Sequence, residues 1–333
     1  MKNLLTDIAG VRVGHAHDAA LASGVTAILF DKPAVASLDI RGGGPGTRDS
    51  ALLDPVNTVD GIDGIALAGG SAFGLDAAGG MQGWLAEQGR GFAIADAVIP
   101  IVPGAIVFDL LNGGNKKWGR FSPYRDLGYA AASTAGDDFT LGTVGAGFGA
   151  TTANFKGGLG SASAELPNGI RVAALAVVNA VGSVTVGNGP WFWSAPCEIG
   201  DEFGGRGMPA TFTDEMRAMR VKGAATATAI ENTTLVAVVT DALLTKAQAQ
   251  RLAMSAQTGF ARAIYPVHAP LDGDLVFAAA TGAKPIDPLY GLTELGTVAA
   301  NVVARAIARG VYEATALPFP GAQPAWKDRF GKG

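Results

Sequence analysis

Asn232-Thr233-Thr234-Leu235-Val236-Ala237-Val238-Val239 sets a short polar entry before an unbroken run of apolar and β-branched residues. Such a run has the composition of a buried strand. The polar, alanine- and glycine-bearing stretch just upstream reads as loop, so the Thr233 hydroxyl stands where a loop becomes a buried strand. An Asn-Thr pair at a strand entry is most often a turn followed by an ordinary β-former. Its chemistry changes if the Asn232–Thr233 bond is cut. Thr233 then carries a free α-amine, whose ordinary pKa of about 7.7 to 8.0 suits a general base near neutral pH. One residue would supply both nucleophile and base.

Outward from this strand, the pattern alternates strands with helices. Val11–Gly14, Gly24–Phe30 and Gly64–Ala68 read as strands, and Arg41-Gly42-Gly43-Gly44-Pro45-Gly46-Thr47-Arg48 reads as a loop. Ser71 is placed to cap a helix carrying Leu75, Ala78, Met81 and Leu85 before Gly89. Residues 92–112 read as strand then helix, 113–140 as loop, and 170–186 as strand. Thr245 caps a second helix with Leu252, Ala253 and Ala256 inward. A last helix spans 295–309, with Val298, Val302 and Ile307 at helical spacing and Gly310 as its stop. No repeat or linker divides the chain, so a single α/β domain over residues 1–333 is expected, its sheets covered by helices.

Composition narrows the function. With 48% hydrophobic and 16% charged residues the chain has material for a substantial core, and its 48 glycines are scattered as close packing and tight turns require. A net charge of −4 offers no basic field for nucleic acid or an anionic membrane, which favours a small-molecule or peptide-like partner. Cys197 is the only cysteine, so neither an intrachain disulfide nor a cysteine-based zinc site is available. Asp7 interrupts the N-terminus too early for a secretory segment, and no apolar run nears the roughly 20 residues that cross a bilayer. A soluble, cytoplasmic protein is expected.

Several motifs compete for a chemical role. Gly145-Ala146-Gly147-Phe148-Gly149-Ala150, with Glu165 downstream, imitates a dinucleotide fingerprint, but a poor strand precedes it and a helix-breaking stretch follows, so no nucleotide cofactor is expected. Gly69-Gly70-Ser71-Ala72-Phe73 lacks the second glycine of a nucleophile elbow. His15 and His17 could share one strand face, yet no third ligand is evident; with His268 they read as solvated or capping histidines, and no metal is expected. Asp272 and Asp274, in Leu271-Asp272-Gly273-Asp274, form an ordinary acidic turn or else orient a hydroxyl or ammonium. Lys156 sits in a glycine-rich stretch, where it is a solvated lysine or a charge that lowers the pKa of a nearby amine. Asn179, inside an apolar run, either satisfies a structural hydrogen bond or aims its NH2 at an oxyanion.

Taken together, the 41–48 loop, Gly69–Asp76, Phe108-Asp109-Leu110-Leu111-Asn112-Gly113-Gly114, Lys156–Ser161 and Asn232–Leu235 resemble the self-processing N-terminal-nucleophile amidases. That family includes the D-aminopeptidase/esterase, the β-peptidyl aminopeptidases and the nylon-oligomer (6-aminohexanoate-oligomer) endo-hydrolase. The resemblance spans nearly the whole chain. It implies a four-layer αββα sandwich and self-cleavage between Asn232 and Thr233 into an α segment (1–232) and a β segment (233–333) that stay associated. It further implies Thr233 as nucleophile, Asp272 and Asp274 as the groups orienting it, Lys156 as partner of its amine or hydroxyl, and Asn179 at the oxyanion. Many aminopeptidase members carry serine at the nucleophile, and a hydroxyl with a glutamate in place of the two aspartates, so the resemblance is closest to the nylon-hydrolase branch. The function expected from it is hydrolysis of ω-amino-acid oligomers by a processed homo-oligomer without cofactor. An aminopeptidase on short peptides, an acyltransferase and a non-enzymatic glycine-rich binding protein are the alternatives.

Overall fold

The computed structural model describes residues 1–223 and 232–331. The stretch just upstream of Asn232, read above as loop, lies largely outside them. In chain order the strands are β1 (Val11–Asp18), β2 (Ser23–Ile40), β3 (Thr47–Arg48), β4 (Ile62–Ala68), β5 (Phe92–Ile94), β6 (Ala97–Ile99), β7 (Gly104–Ile106), β8 (Gly158–Glu165), β9 (Arg171–Asn179), β10 (Thr233–Ala242) and β11 (Leu275–Lys284). The helices are α1 (Ala77–Glu87), α2 (Tyr124–Ser133), the single turn α3 (Asp214–Arg217), α4 (Lys246–Ala256), α5 (Thr258–Ala263), α6 (Tyr290–Tyr312) and α7 (Trp326–Phe330).

Strand β2 is the hinge of the architecture because its 18 residues serve two sheets. Its first half pairs with β1 and β4, and β4 continues to β7 and β3. Its second half pairs with β11, followed by β10, β9 and β8. The pairs β4/β7 and β10/β11 are parallel and the others antiparallel. A parallel neighbour demands a crossover, and α4 with α5 supplies it between β10 and β11.

Alternation along the second sheet fixes four layers. Leu235, Ala237 and Val239 of β10, with Leu175, Val177, Leu275 and Phe277, join Val13, Ile28, Ile65 and Leu67 of the first sheet in a core between the sheets. The intervening residues Val236 and Val238, with Val178 and Val276, pack instead on Leu252, Leu295, Val302 and Ile307 of the helices. Val25, Ala27 and Ala66 on the far face of the first sheet meet Met81, Leu85 and Ala131 of α1 and α2. A strand buried on both faces shows no polar alternation, which is why β10 reads as a continuous apolar run. Helices, sheet, sheet and helices form the αββα sandwich.

Some local expectations change. Ser71 does not cap a helix: it has φ 52° and opens a 3-10 turn, Ser71–Asp76, before α1. Residues 92–106 hold a hairpin and a strand rather than a helix, because Pro100 and Pro103 lack the amides a helix needs. The stretch read as loop contains α2, which buries Tyr124, Gly128, Ala131 and Ala132 on one stripe. Gly310 does not end α6, which runs to Tyr312; a Cβ on the facing Gly160 would collide with the Ala306 carbonyl, so the glycines here serve helix-on-sheet contact. Thr245 does cap α4, with Gln248 completing a capping box.

Candidate active site

Thr233 is the first residue of β10 and pairs in register with Asn179, the last residue of β9. By alternation both lie on the side of the sheet that carries Leu235 and Val177, facing the first sheet. The Asn232 amide donates to Leu271 O (3.1 Å). The Asn232 carbonyl oxygen in turn accepts from the Gly273 amide (2.7 Å) and from Thr233 Oγ1 (2.5 Å). The Asn232–Thr233 peptide is thus clamped with its carbonyl between two donors, and Thr233 is only 2% exposed. A side chain at position 273 would put its Cβ 2.6 Å from Thr233 Oγ1, so this approach requires glycine.

On one side of Thr233 stands an acidic wall. Asp274 Oδ1 accepts from the Thr234 amide (2.7 Å), and Oδ2 accepts from the His268 amide (3.2 Å) and lies 3.0 Å from His268 Nδ1. Asp272 Oδ2 accepts from the Ala269 amide (3.1 Å). Burial, and secondarily the neighbouring Asp274 charge, push the Asp272 carboxyl well above its ordinary 3.8, against the Ala269 and Val181 amides and the charge of Lys222. The glycine-rich loop clasps the turn from behind: the Arg41 and Gly42 amides donate to Asp274 O (2.9 and 3.1 Å) and the Gly44 amide to Asp272 O (2.7 Å). A Cβ on Gly42 would strike that same backbone.

On the other side stands a basic wall. Lys156 is buried and its ammonium donates to the carbonyls of Ala150 (2.7 Å), Gly157 (2.8 Å) and Gly147 (3.1 Å). Burial pulls it from 10.5 to about 7, with the charge of Lys222 in the same direction and that of Asp109 opposing. Lys222 donates to Thr151 O (2.9 Å), Thr151 Oγ1 (3.2 Å) and Asn179 Oδ1 (3.0 Å), and burial pulls it also to about 7 against Asp272 and Asp109. Asn179 Oδ1 accepts in addition from the Thr151 amide (3.0 Å), while its Nδ2 donates to Phe108 O (3.1 Å). A cleft of about 340 Å³ opens against this wall, lined by Phe108, Asp109, Asn112, Thr151, Lys156 and Lys222 among others. Asp109 already accepts from Ser23 Oγ (2.6 Å) and the Gly70 amide (2.7 Å).

Of the residues singled out in the sequence, Thr233, Asn232, Asn179, Asp272 and Asp274 therefore converge on one peptide. Lys156 stands in the cleft, but its three hydrogen bonds go to backbone carbonyls and none goes to Thr233. The segment that imitates a dinucleotide fingerprint forms a 3-10 turn, Gly145–Gly147, with no helix behind it, and the carbonyls of Gly147 and Ala150 in it hold Lys156. His15 lies 3.0 Å from Thr26 Oγ1 and His17 stacks on Phe148, with burial lowering both pKa values, His15 to about 4. Among the described residues no group of three or more His, Cys, Asp or Glu could hold a metal ion, and no helix is long and apolar enough to cross a membrane. Sequence reading missed Lys222, Gly273 and the contact of His268 with Asp274. His268 had one signal, its place six residues before Asp274; Lys222, in Val221-Lys222-Gly223, had none.

The profile of "Peptidase family S58" matches residues 3–323. An uncharacterized aminopeptidase of Mycobacterium tuberculosis is 43% identical over 347 residues, covering 98% of this chain and 98% of that protein. A 6-aminohexanoate-oligomer endohydrolase of Agromyces is 28% identical over 321 residues, covering 89% of this chain and 82% of that enzyme. Among solved structures, an L-aminopeptidase D-Ala-esterase/amidase from Ochrobactrum anthropi, described as a variant of the Ntn hydrolase fold, superposes with a TM-score of 0.71 at 18% identity, covering 99% of this chain and 94% of that one. A Burkholderia β-aminopeptidase gives a TM-score of 0.69 at 21% identity, covering 98% and 91%. These two share the fold.

Proposed function

This chain belongs to peptidase family S58 and is an aminopeptidase- or amidase-type hydrolase, and from that premise we propose that it cuts itself between Asn232 and Thr233 and then uses Thr233 to hydrolyse amides. The Asn232 carbonyl carries the reading, because its oxygen sits between Thr233 Oγ1 and the Gly273 amide. In maturation, Oγ1 attacks the Asn232 carbonyl carbon and charge develops on an oxygen already facing an N–H donor. The C–N bond breaks, the nitrogen takes up the hydroxyl proton, and an ester remains. Water hydrolyses that ester, leaving a carboxylate on Asn232 and a free amine and hydroxyl on Thr233. The two segments stay together because β10 of the β segment remains paired with β9 of the α segment, and β11 with β2.

In turnover the Thr233 amine takes the hydroxyl proton as Oγ1 attacks a substrate carbonyl. Asn179 donates its NH2 to the oxyanion, Asp272 and Asp274 hold the nucleophile's end of β10, and the Lys156 charge disfavours protonation of the amine. The amine product leaves and water releases the acyl group.

The substrate class supported best is an internal amide of an ω-amino-acid oligomer, such as a 6-aminohexanoate oligomer. Among the described residues the cleft presents two lysines and a single carboxylate, Asp109, already engaged by Ser23 and Gly70, a poor setting for a substrate ammonium. Similarity to a protein named as an aminopeptidase favours a second reading, in which short peptides are trimmed from a free amino end. Comparing N-acetylated with free oligomers separates the two. Self-cleavage is tested by intact-mass measurement and N-terminal sequencing of the purified protein. The expected smaller fragment begins Thr233-Thr234-Leu235, and a chain that stays whole while hydrolysing amides would sink the mechanism.

A further inference from the structure

We infer that Lys222 is a positioning residue for the amide chemistry, fixing the Asn179 carboxamide so that its NH2 faces the cleft wall. The inference rests on the reading of Thr233 as nucleophile and Asn179 as oxyanion donor. Asparagine's amide can sit either way round, and only its hydrogen-bond partners decide which end is oxygen. Here the Thr151 amide and the Lys222 ammonium, each 3.0 Å away, both donate to Oδ1. Nδ2 is left to face Phe108 O at 3.1 Å, with one N–H bonded there and the second available to a developing oxyanion. Turning the amide over would set its NH2 against two donors, one of them charged, and forfeit a charge-assisted bond in a buried site.

Lys222 is itself held in place. Its backbone amide donates to Val181 O (2.8 Å), two residues beyond Asn179, and its ammonium also grips both oxygens of Thr151. The charged groups that act on it are Asp272 and Asp109, which favour the ammonium, with Lys156 nearby as a like charge. Lys222 lies upstream of the cut, so the end of the α segment would remain fastened to the oxyanion group after cleavage.

A double-mutant cycle tests this. Lys222→Met and Asn179→Ala, singly and together, are assayed for kcat and KM on a simple amide, with Lys222→Gln as the variant that keeps a donor. Lys222→Met is expected to lower kcat about tenfold with KM within about twofold, and to cost nothing further once Asn179 is alanine. Lys222→Gln is expected to recover part of the loss, and it serves as the readable variant if Lys222→Met does not fold. Where a variant is slow to mature, the same cycle is read on the rate at which the Thr233 fragment appears. Additive losses, or an unchanged kcat in Lys222→Met, would overturn the inference. A wild-type chain that never yields the Thr233 fragment defeats the nucleophile reading instead, and coupling measured on the intact chain still decides whether Lys222 acts through Asn179.

Discussion

The two walls beside Thr233 bury their charges in opposite ways. On the acidic side, backbone amides do the holding: Thr234, His268 and Ala269 donate to the carboxylates, and Arg41, Gly42 and Gly44 donate to the turn's own carbonyls. On the basic side, the lysines hold backbone carbonyls of the 147–157 region, and the ammonium groups carry the burial. Amide donors stabilise a carboxylate without adding a titratable group, so main chain does most of the holding on the Asp274 side, with the His268 ring beside Oδ2 at 3.0 Å. The oxygens the lysines grip and the charges of Asp109 and, for Lys222, Asp272 offset only part of their desolvation, and both lysines fall to about 7. Within the basic wall the two differ again, since Lys156 touches backbone alone and Lys222 also grips the side chain that pairs across from Thr233. On both sides burial disfavours a charge, that of Asp272 in the acidic wall and those of the two lysines in the basic one.

The largest test removes what both walls serve. Thr233→Ala is expected to abolish both self-cleavage and turnover, read by intact mass and by amide hydrolysis; an active variant would mean that the walls serve another nucleophile. Next, Asp274→Ala strips the acceptor from the Thr234 and His268 amides and should lower turnover about a hundredfold while the chain still folds. Rates within twofold of wild type would return Asp274 to an ordinary acidic turn. Gly273→Ala keeps every donor but drives a methyl to 2.6 Å from Thr233 Oγ1, so the self-cleavage rate, followed by the appearance of the shorter fragments, should fall about tenfold. Cleavage at the wild-type rate would show that Thr233 attacks from a different rotamer.

The smallest effect concerns pH. An unfolded lysine keeps its proton to about 10.5, whereas folded Lys156 releases it near 7. Between those values the unfolded chain binds more protons, so this group makes stability rise with pH by about 1.4 kcal/mol per unit; below 7 both states are protonated and its contribution is flat. Lys156→Met should remove that slope, measured as the change in denaturation midpoint between about pH 7 and about pH 10. An unchanged slope would show that Lys156 keeps its proton in the fold, and would weaken the contrast between the walls.

Much of the frame was legible from residue patterns. The apolar runs of β2, β9 and β10, the Thr245 cap and the helical stripe of α6 follow from local periodicity. Local pattern failed at some points: Gly310 reads as a helix stop until β8 is seen against α6, and residues 92–112 read as strand then helix until Pro100 and Pro103 are weighed. For the candidate site, Thr233 stood out at a strand entry, Asn179 as an amide inside an apolar run and Asp272 with Asp274 as an acidic turn, while the resemblance supplied the roles proposed for them. Lys222 and Gly273 did not stand out, because a lysine and a glycine in loops look like any others.

The sequence by itself determined the buried strands, the hydroxyl at the mouth of β10 and the absence of a cysteine pair, since these depend on residue type and short-range spacing. Tertiary structure alone decided that the Asn232 carbonyl meets the Gly273 amide, that the glycine-rich loop clasps the backbone carbonyls of the acidic turn and that Lys222 reaches Asn179. These contacts join residues far apart in the chain. Only the packing of two sheets through one shared strand brings them within hydrogen-bonding distance.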